Sequence, residues 1–214
     1  MVPDAGRVLA RLRARLSRED GGMTLIELLV VMMLSSLLLT IVYHVLITVQ
    51  RQTAETLRRA DSVDQARLGL SQIDRQVRSG NVFYDPVLEP LPMSMRVLTQ
   101  ASNGDRTCVQ WHVTGGALRT RSWDPETKVV EKDWRTVARD IVNVVDTDPS
   151  TPDPQAPFAL AGGGTTTSYG KRLVDVVLLV KDAKSGGAPV EVRGSLSGRN
   201  TQYGFDPGDC AAPP

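Results

Sequence analysis

One carboxylate at the edge of a long uncharged run constrains this chain more than any other feature. Residues 28–43 contain no charged side chain, apolar or small residues continue to Val49, and Glu27 stands just inside the start of the run. An acid in hydrocarbon costs roughly 2.5–3.5 kcal/mol on insertion scales, so its presence there calls for a specific partner. The apolar stretch 23–49 exceeds the roughly 20 residues that cross a bilayer as helix. Before it lie Arg7, Arg11, Arg13, Arg15 and Arg18, against Asp4, Glu19 and Asp20. Such a positive flank holds its own end in the cytoplasm and sends the rest of the chain outward. No small-x-small signal-peptidase site ends the run, and no cysteine adjoins it. Those two observations argue against a cleaved secretory leader and against a lipid anchor.

The order Gly22, Met23, Thr24, Leu25, Ile26, Glu27 followed by an apolar helix resembles the processing motif of type IV pilins and type II secretion pseudopilins. The resemblance implies that a prepilin peptidase removes the basic leader, residues 1–22, by cutting after Gly22. Met23 then becomes the N-methylated first residue, and Glu27 the fifth residue of the mature chain. It further implies that the Glu27 carboxylate pairs with the N-terminal ammonium of a neighbouring subunit during filament assembly. The chemistry is consistent with each step. Glycine lets a peptidase approach the scissile backbone closely. A carboxylate in the first turns of a helix faces the positive end of the helix dipole. Opposite charges in a low dielectric attract strongly once paired. The competing reading is an ordinary signal anchor in which Glu27 snorkels to the interface.

Residues 50–79 are helical by pattern, with Leu57, Ala60, Val63, Ala66, Leu70, Ile73 and Val77 at three- and four-residue spacing. Glu55 with Arg59, and Asp74 with Arg78, stand four apart with the acid first, the favourable order. No proline falls between Pro3 and Pro86, so one helix is expected over about 23–79, ended at Gly80-Asn81. A proline-rich irregular crossing should follow over 85–92. Strand patterns then come at 95–100 and 106–113 around Asn103-Gly104-Asp105, at 117–123, and in pieces near 129–130, 134–138 and 141–145. In the second of these, Cys108, Gln110 and His112 face one way and Val109, Trp111 and Val113 the other. The segment 146–157, with four prolines and three aspartates, is expected to be an exposed loop, and Gly162 to Thr167 a flexible one. A strong strand at 172–181 should pair antiparallel with 190–196 across Ser185-Gly186-Gly187.

The expected architecture is therefore α+β: a long N-terminal helical spine, its hydrophobic half (23–49) transmembrane and its amphipathic half (50–80) packed on an antiparallel β-sheet head (81–214). This is the pilin fold that the resemblance implies. The helix end, Leu70-x-x-Ile73-Asp74-Arg75-x-Val77-Arg78, and the last strand running into Ser197-Gly198-Arg199-Asn200 resemble minor pseudopilins of the J class and PilW-type minor pilins. The implied function is a minor pilin or pseudopilin, stored in the inner membrane with its head extracytoplasmic. It would assemble with other such subunits through an assembly platform protein, with a role in the filament tip by analogy.

Two cysteines, Cys108 and Cys210, lie in the exported part. One intramolecular disulfide tying the C-terminal tail to a strand is the simplest reading in an oxidising compartment, and two free buried thiols are the alternative. Asp146, Asp148 and Asp153, and separately Asp206-Pro207-Gly208-Asp209, have oxygen ligands at short spacing that would suit calcium, but they read more simply as solvated loop charges. No metal and no cofactor are expected. No nucleophile–base constellation is visible, and Gly162-Gly163-Gly164 lacks the Lys-Ser/Thr of a phosphate loop, so an anchored enzyme or sensor is disfavoured. A net charge of +1 and 5% aromatic residues give no global field or stacking platform for nucleic acid. Trp111, Trp123 and Trp134 beside Arg119, Arg121 and Arg135 nevertheless leave an adhesive or DNA-binding tip module as the second reading.

Overall fold

The computed structural model describes residues 24–100, 104–144, 156–160, 172–182, 187–198, 205–206, 208–211 and 213–214. Several sequence expectations fall outside these residues: the leader 1–22 with Gly22, and Met23; Asn103; the loop aspartates Asp146, Asp148 and Asp153; the Gly162–Thr167 segment; Ser185-Gly186; Arg199-Asn200; and Pro207.

The chain is α+β. Among the described residues one α-helix, α1 (Leu25–Ser79), precedes eight strands: β1 (Gly80–Phe83), β2 (Ser94–Gln100), β3 (Arg106–Thr114), β4 (Ala117–Trp123), β5 (Val130–Arg139), β6 (Phe158–Leu160), β7 (Leu173–Val180) and β8 (Val190–Ser197). The first five form an antiparallel meander in chain order, and the last three a second antiparallel sheet. The chain divides into two compact units, one ending at Thr53 and one, the head, beginning at Ala54.

Within the head, α1 buries the face carrying Ser62, Ala66, Gly69, Ile73 and Val77. These residues recur every three or four positions, one stripe of an α-helix. Ala66, Ile73 and Val77 join the main core with Met95, Val97, Val109, Trp111, Val113 and Leu118 of the meander and Val174, Val176, Leu178 and Val192 of the second sheet. The stripe begins later than the hydrophobic pattern suggests. Leu57 is 65% exposed and Ala60 is also exposed. At that level the helix meets the head through polar groups instead: Arg58 lies 3.2 Å from Asp182, Arg59 donates to the Ala188 carbonyl at 3.0 Å, and Ser62 donates to Asp140 at 2.7 Å. Gly69, invisible to a hydrophobic count, is where the helix comes closest to β4. A Cβ there would lie 2.8 Å from Leu118 Cδ2. The Asp74–Arg78 pair forms at 2.8 Å across one helical turn.

The helix passes into β1 without a loop. Gly80 permits this, because a Cβ would sit 2.7 Å from Val97 and 2.8 Å from the Phe83 ring. Pattern reading sees only a helix stop at Gly80-Asn81 and overlooks the four-residue strand that follows. The register slips between Gly80 and Val82, so Val82 and Phe83 enter cores on opposite faces of the sheet. The proline-rich crossing is irregular apart from a 3-10 turn at Pro86–Leu88, which Asp85 caps through the Val87 N–H at 3.1 Å.

The 129–138 pieces are a single strand, β5, broken by register shifts against β4. The expected strand at 141–145 is a correction. Among its described residues only Ile141 makes a bridge, to Val180. This segment serves β7 in another way. One edge of β7 pairs with β8 along its full length, and β6 covers residues 174–176 of the other edge. The rest of that edge is completed by Pro157 accepting from Val177 N–H, by Val142 N–H donating to the Leu179 carbonyl, and by Lys181 N–H donating to the Asp140 carbonyl. The Asn143 amide stands in for a backbone unit. It donates to the Val177 carbonyl and accepts from Leu179 N–H, both at 2.9 Å. Buried backbone groups require partners, and this irregular stretch supplies them while joining the two sheets.

The displaced stripe makes a direct test. Ile73→Ala, at a fully buried site, should cost about 2–5 kcal/mol. Leu57→Ala should change stability by less than about 0.5 kcal/mol. Thermal melts of the detergent-solubilised protein, followed by near-UV circular dichroism, distinguish the two.

Candidate functional site

The N-terminal part of α1 is organised by Thr24. Its hydroxyl accepts the Glu27 N–H at 3.3 Å, and its carbonyl accepts the N–H groups of Glu27 at 3.0 Å and Leu28 at 3.2 Å. Thr24 is thus the N-cap, and Thr-x-x-Glu is the spacing of a capping box. The Thr24 cap was legible in the sequence and was overlooked there, because attention falls on the acid. Glu27 lies in the first turn, where the helix dipole favours negative charge.

Beyond it the helix is apolar on every side. Residues 24–46 are all exposed, with Leu25 at 81% and Met33 at 72%. Three hydroxyls in this half find acceptors within the helix: Ser36 donates to the Met33 carbonyl, Thr40 to Ser36 and Thr48 to His44, at 2.8–2.9 Å. A polar group in a lipid-like medium needs such an internal acceptor. The helix is long and apolar enough to cross a membrane.

On the head, a second small core lies on the sheet face turned away from α1. It contains Val82, Tyr84, Leu98, Cys108, Trp123 and Cys210, with Phe205 packed against it. Cys108 and Cys210 are disulfide-bonded, their Cα atoms 5.7 Å apart and 102 positions apart in sequence. Around the bond, Arg96 donates to the carbonyls of Cys210 at 2.6 Å and Ala211 at 2.7 Å, and to Glu89 at 2.8 Å. Arg106 pairs with Asp209 at 2.7 Å and with Glu126 at 2.6 Å, and the Lys128 ammonium donates to the Asp209 carbonyl. The tail is therefore a strap across the sheet, which explains why β2 is buried on both faces. The Arg96 and Glu89 side chains are 6% and 0% exposed. Burial pushes the Glu89 carboxyl above its ordinary range, with Arg96 opposing it. The Tyr84 hydroxyl accepts the Cys210 N–H at 3.1 Å, and burial pushes its pKa up to about 12.

Of the three tryptophans, Trp111 and Trp123 are fully buried, so neither can stack on a base. Trp134 is half-buried and already engaged, with Arg121 4.8 Å above its ring and His112 5.5 Å away. Arg135 is turned to Gln72 on the helix side at 3.2 Å. Trp111 and Arg135 thus lie on the helix side, while Arg121 packs over both Trp123, at 5.3 Å, and Trp134 on the other face. Among the described residues, no three His, Cys, Asp or Glu side chains are grouped to hold a metal ion. Asp206 accepts the Gly208 N–H, and Asp209 faces Arg106.

A capped helix long and apolar enough to cross a membrane, leading into an antiparallel head, fits a membrane-anchored α+β protein. Comparison with known families goes one step further: residues 17–43 match the prokaryotic N-terminal methylation motif. That match supports a type IV pilin-like subunit and implies processing by a prepilin peptidase. No curated protein matches the chain.

The strap yields two predictions. Cys108→Ser or Cys210→Ser should cost about 2–5 kcal/mol, read as a lowered urea midpoint that reducing agent reproduces in the wild type. Tyr84 has a folded pKa raised above its ordinary 10.0, so its contribution is complete below pH 10 and is lost as pH rises towards 12. Stability should fall by up to about 2 kcal/mol over that window, and Tyr84→Phe should flatten the fall.

Proposed function

We propose that this chain is a minor pilin or pseudopilin, a membrane-stored subunit drawn into a type IV pilus-like filament of a pilus, competence or type II secretion machine. The observation that carries the reading is Glu27: it sits in the first turn of a Thr24-capped helix, at the head of an exposed apolar segment, inside the matched methylation motif. Such a segment has two environments that suit it, a bilayer before assembly and the packed helices of other subunits after it.

In this reading residues 1–22 are a leader removed by cleavage after Gly22, and Met23 carries the new, N-methylated amine. Methylation keeps the positive charge while weakening its hydration, which eases its transfer into an apolar filament core. Glu27 of an incoming subunit pairs with that amine on its neighbour and sets the register. Residues 23–49 form the membrane and filament-core half of the helix, 50–80 the half that carries the head, and 81–214 the extracytoplasmic head, which contacts other minor subunits at the filament tip. An assembly platform protein lifts the subunit from the inner membrane. The kinship to J-class and PilW-type subunits rests on the helix end and the last strand. The DNA-binding alternative is weakened by the burial of Trp111 and Trp123.

The test separates processing from pairing. Gly22→Ala should leave the precursor uncut when co-expressed with a prepilin peptidase, seen as an unshifted band. Glu27→Gln should be cut and inserted normally. It should, however, enter sheared filaments at least ten-fold less, since breaking a desolvated charge pair costs about 2–5 kcal/mol. Wild-type incorporation of Glu27→Gln would remove the pairing argument.

A further inference from the structure

At the far end of the meander from the strap, the β3–β4 hairpin, the end of β5 and the residue after β7 enclose a cleft of about 400 Å³. Its charged lining is Arg119, Arg139, Lys181 and Asp140. The strand register explains why three cations meet there. Leu118 pairs with Ala138, and both enter the core. Ala117 pairs with Arg139, and Arg119 with Thr136, so these four residues lie on the opposite, outer side of the sheet. Lys181 is brought alongside by its backbone bond to Asp140, at 2.9 Å. Gly115 and Gly116, both at positive φ, make the tight hairpin and leave the rim open, with nothing within 4 Å of where a Cβ would stand.

Among the described residues, three cations face a single acid in this cleft. Asp140, the one acid in the lining, is turned to Ser62 at 2.7 Å. The Arg119 Nε is buried and takes no hydrogen-bond acceptor among the described residues. A buried guanidinium N–H without an acceptor carries its full desolvation cost, and an exogenous oxygen ligand on the same guanidinium would relieve the uncompensated charge. The neighbouring imidazole registers the same excess. His112 sits opposite Arg119 in the β3–β4 register, and its pKa is lowered first by burial and then by Arg119 and Arg121.

We propose that this cleft is an oxyanion-binding site in which Arg119, Arg139 and Lys181 together hold a phosphate or polycarboxylate group. Arg119 is the anchor, because its stem is fixed by the sheet and its fork suits two oxygens of one anion. Arg139 and Lys181 close on the remaining oxygens from either side of the opening. The site lies on the outer face of the head and does not depend on the assembly reading of the helix.

The test is calorimetric titration of the full-length protein in non-ionic detergent, at fixed ionic strength, with pyrophosphate in one arm and citrate in the other. Saturable one-site binding in either arm is expected, and the tighter arm identifies the ligand class. Arg119→Gln should weaken it at least ten-fold, the loss of one charge-assisted contact. Arg139→Gln and Lys181→Gln should each weaken it several-fold, while Arg75→Gln on the exposed face of α1 leaves it unchanged. Should Arg119→Gln lose its near-UV dichroism, the Arg139 and Lys181 variants decide the matter. Absence of saturable heat up to about 10 mM of both anions, or affinity that ignores all three substitutions, would overturn the site.

Discussion

The helix α1 must satisfy two different solvents along one continuous backbone, and the rest of the structure follows from that requirement. Between Ser62 and Val77 it buries a single stripe against two sheets. From residue 24 to residue 46 its side chains are exposed on all faces and almost entirely apolar. The first half is stable only where water is excluded, and the second only where a folded head covers one side. Uncapped helix starts and unpaired hydroxyls would be costly in the first environment. Thr24 caps the start, and Ser36, Thr40 and Thr48 find acceptors on their own helix, without help from another chain.

The head meets its own requirement by covering both faces of the meander. The helix and the second sheet take one face, and the C-terminal strap takes the other. The strap is short, so it cannot hold itself in place by burial alone. A disulfide, the Arg96 contacts to two carbonyls and the Arg106–Asp209 pair together fix it. Arg96 is acceptable in so dry a place because Glu89, the Tyr84 ring and the tail carbonyls surround it. A buried charge is tolerated when its hydrogen-bonding capacity is used. Away from the strap, Arg119 of β4 and Arg139 of β5 line the cleft in which a ligand is proposed.

Much of this was legible in residues alone where one periodicity dominated. The patterns at 106–113, 117–123 and 172–181 predict strands close to the observed ones, because one face of each is tightly packed. Short elements were not legible. Four residues in β1 and three in β6 carry too few alternations to stand out, and each exists because a longer neighbour offers an unpaired edge. The 141–145 segment reads as a strand or edge piece, and its described residues complete the edge of β7 through Asn143 rather than forming a strand. The basic and aromatic residues of 111–135 looked like one patch, but strand alternation sends Trp111 and Arg135 to the helix side and buries Trp123 beneath Arg121.

What the sequence determined by itself is local chemistry: an acid at the start of an apolar helix, a motif around it, and strands wherever alternation was long enough to specify a face. These depend on neighbours within one turn or one strand, so they are written in order along the chain. Only the tertiary structure decided where the helix stripe begins, which edge each short strand completes, that Cys108 and Cys210 lie 5.7 Å apart, and that Arg119, Arg139 and Lys181 share a cleft. Those are contacts between residues tens of positions apart. They are set by the register of one element against another, a quantity that no single stretch of sequence contains.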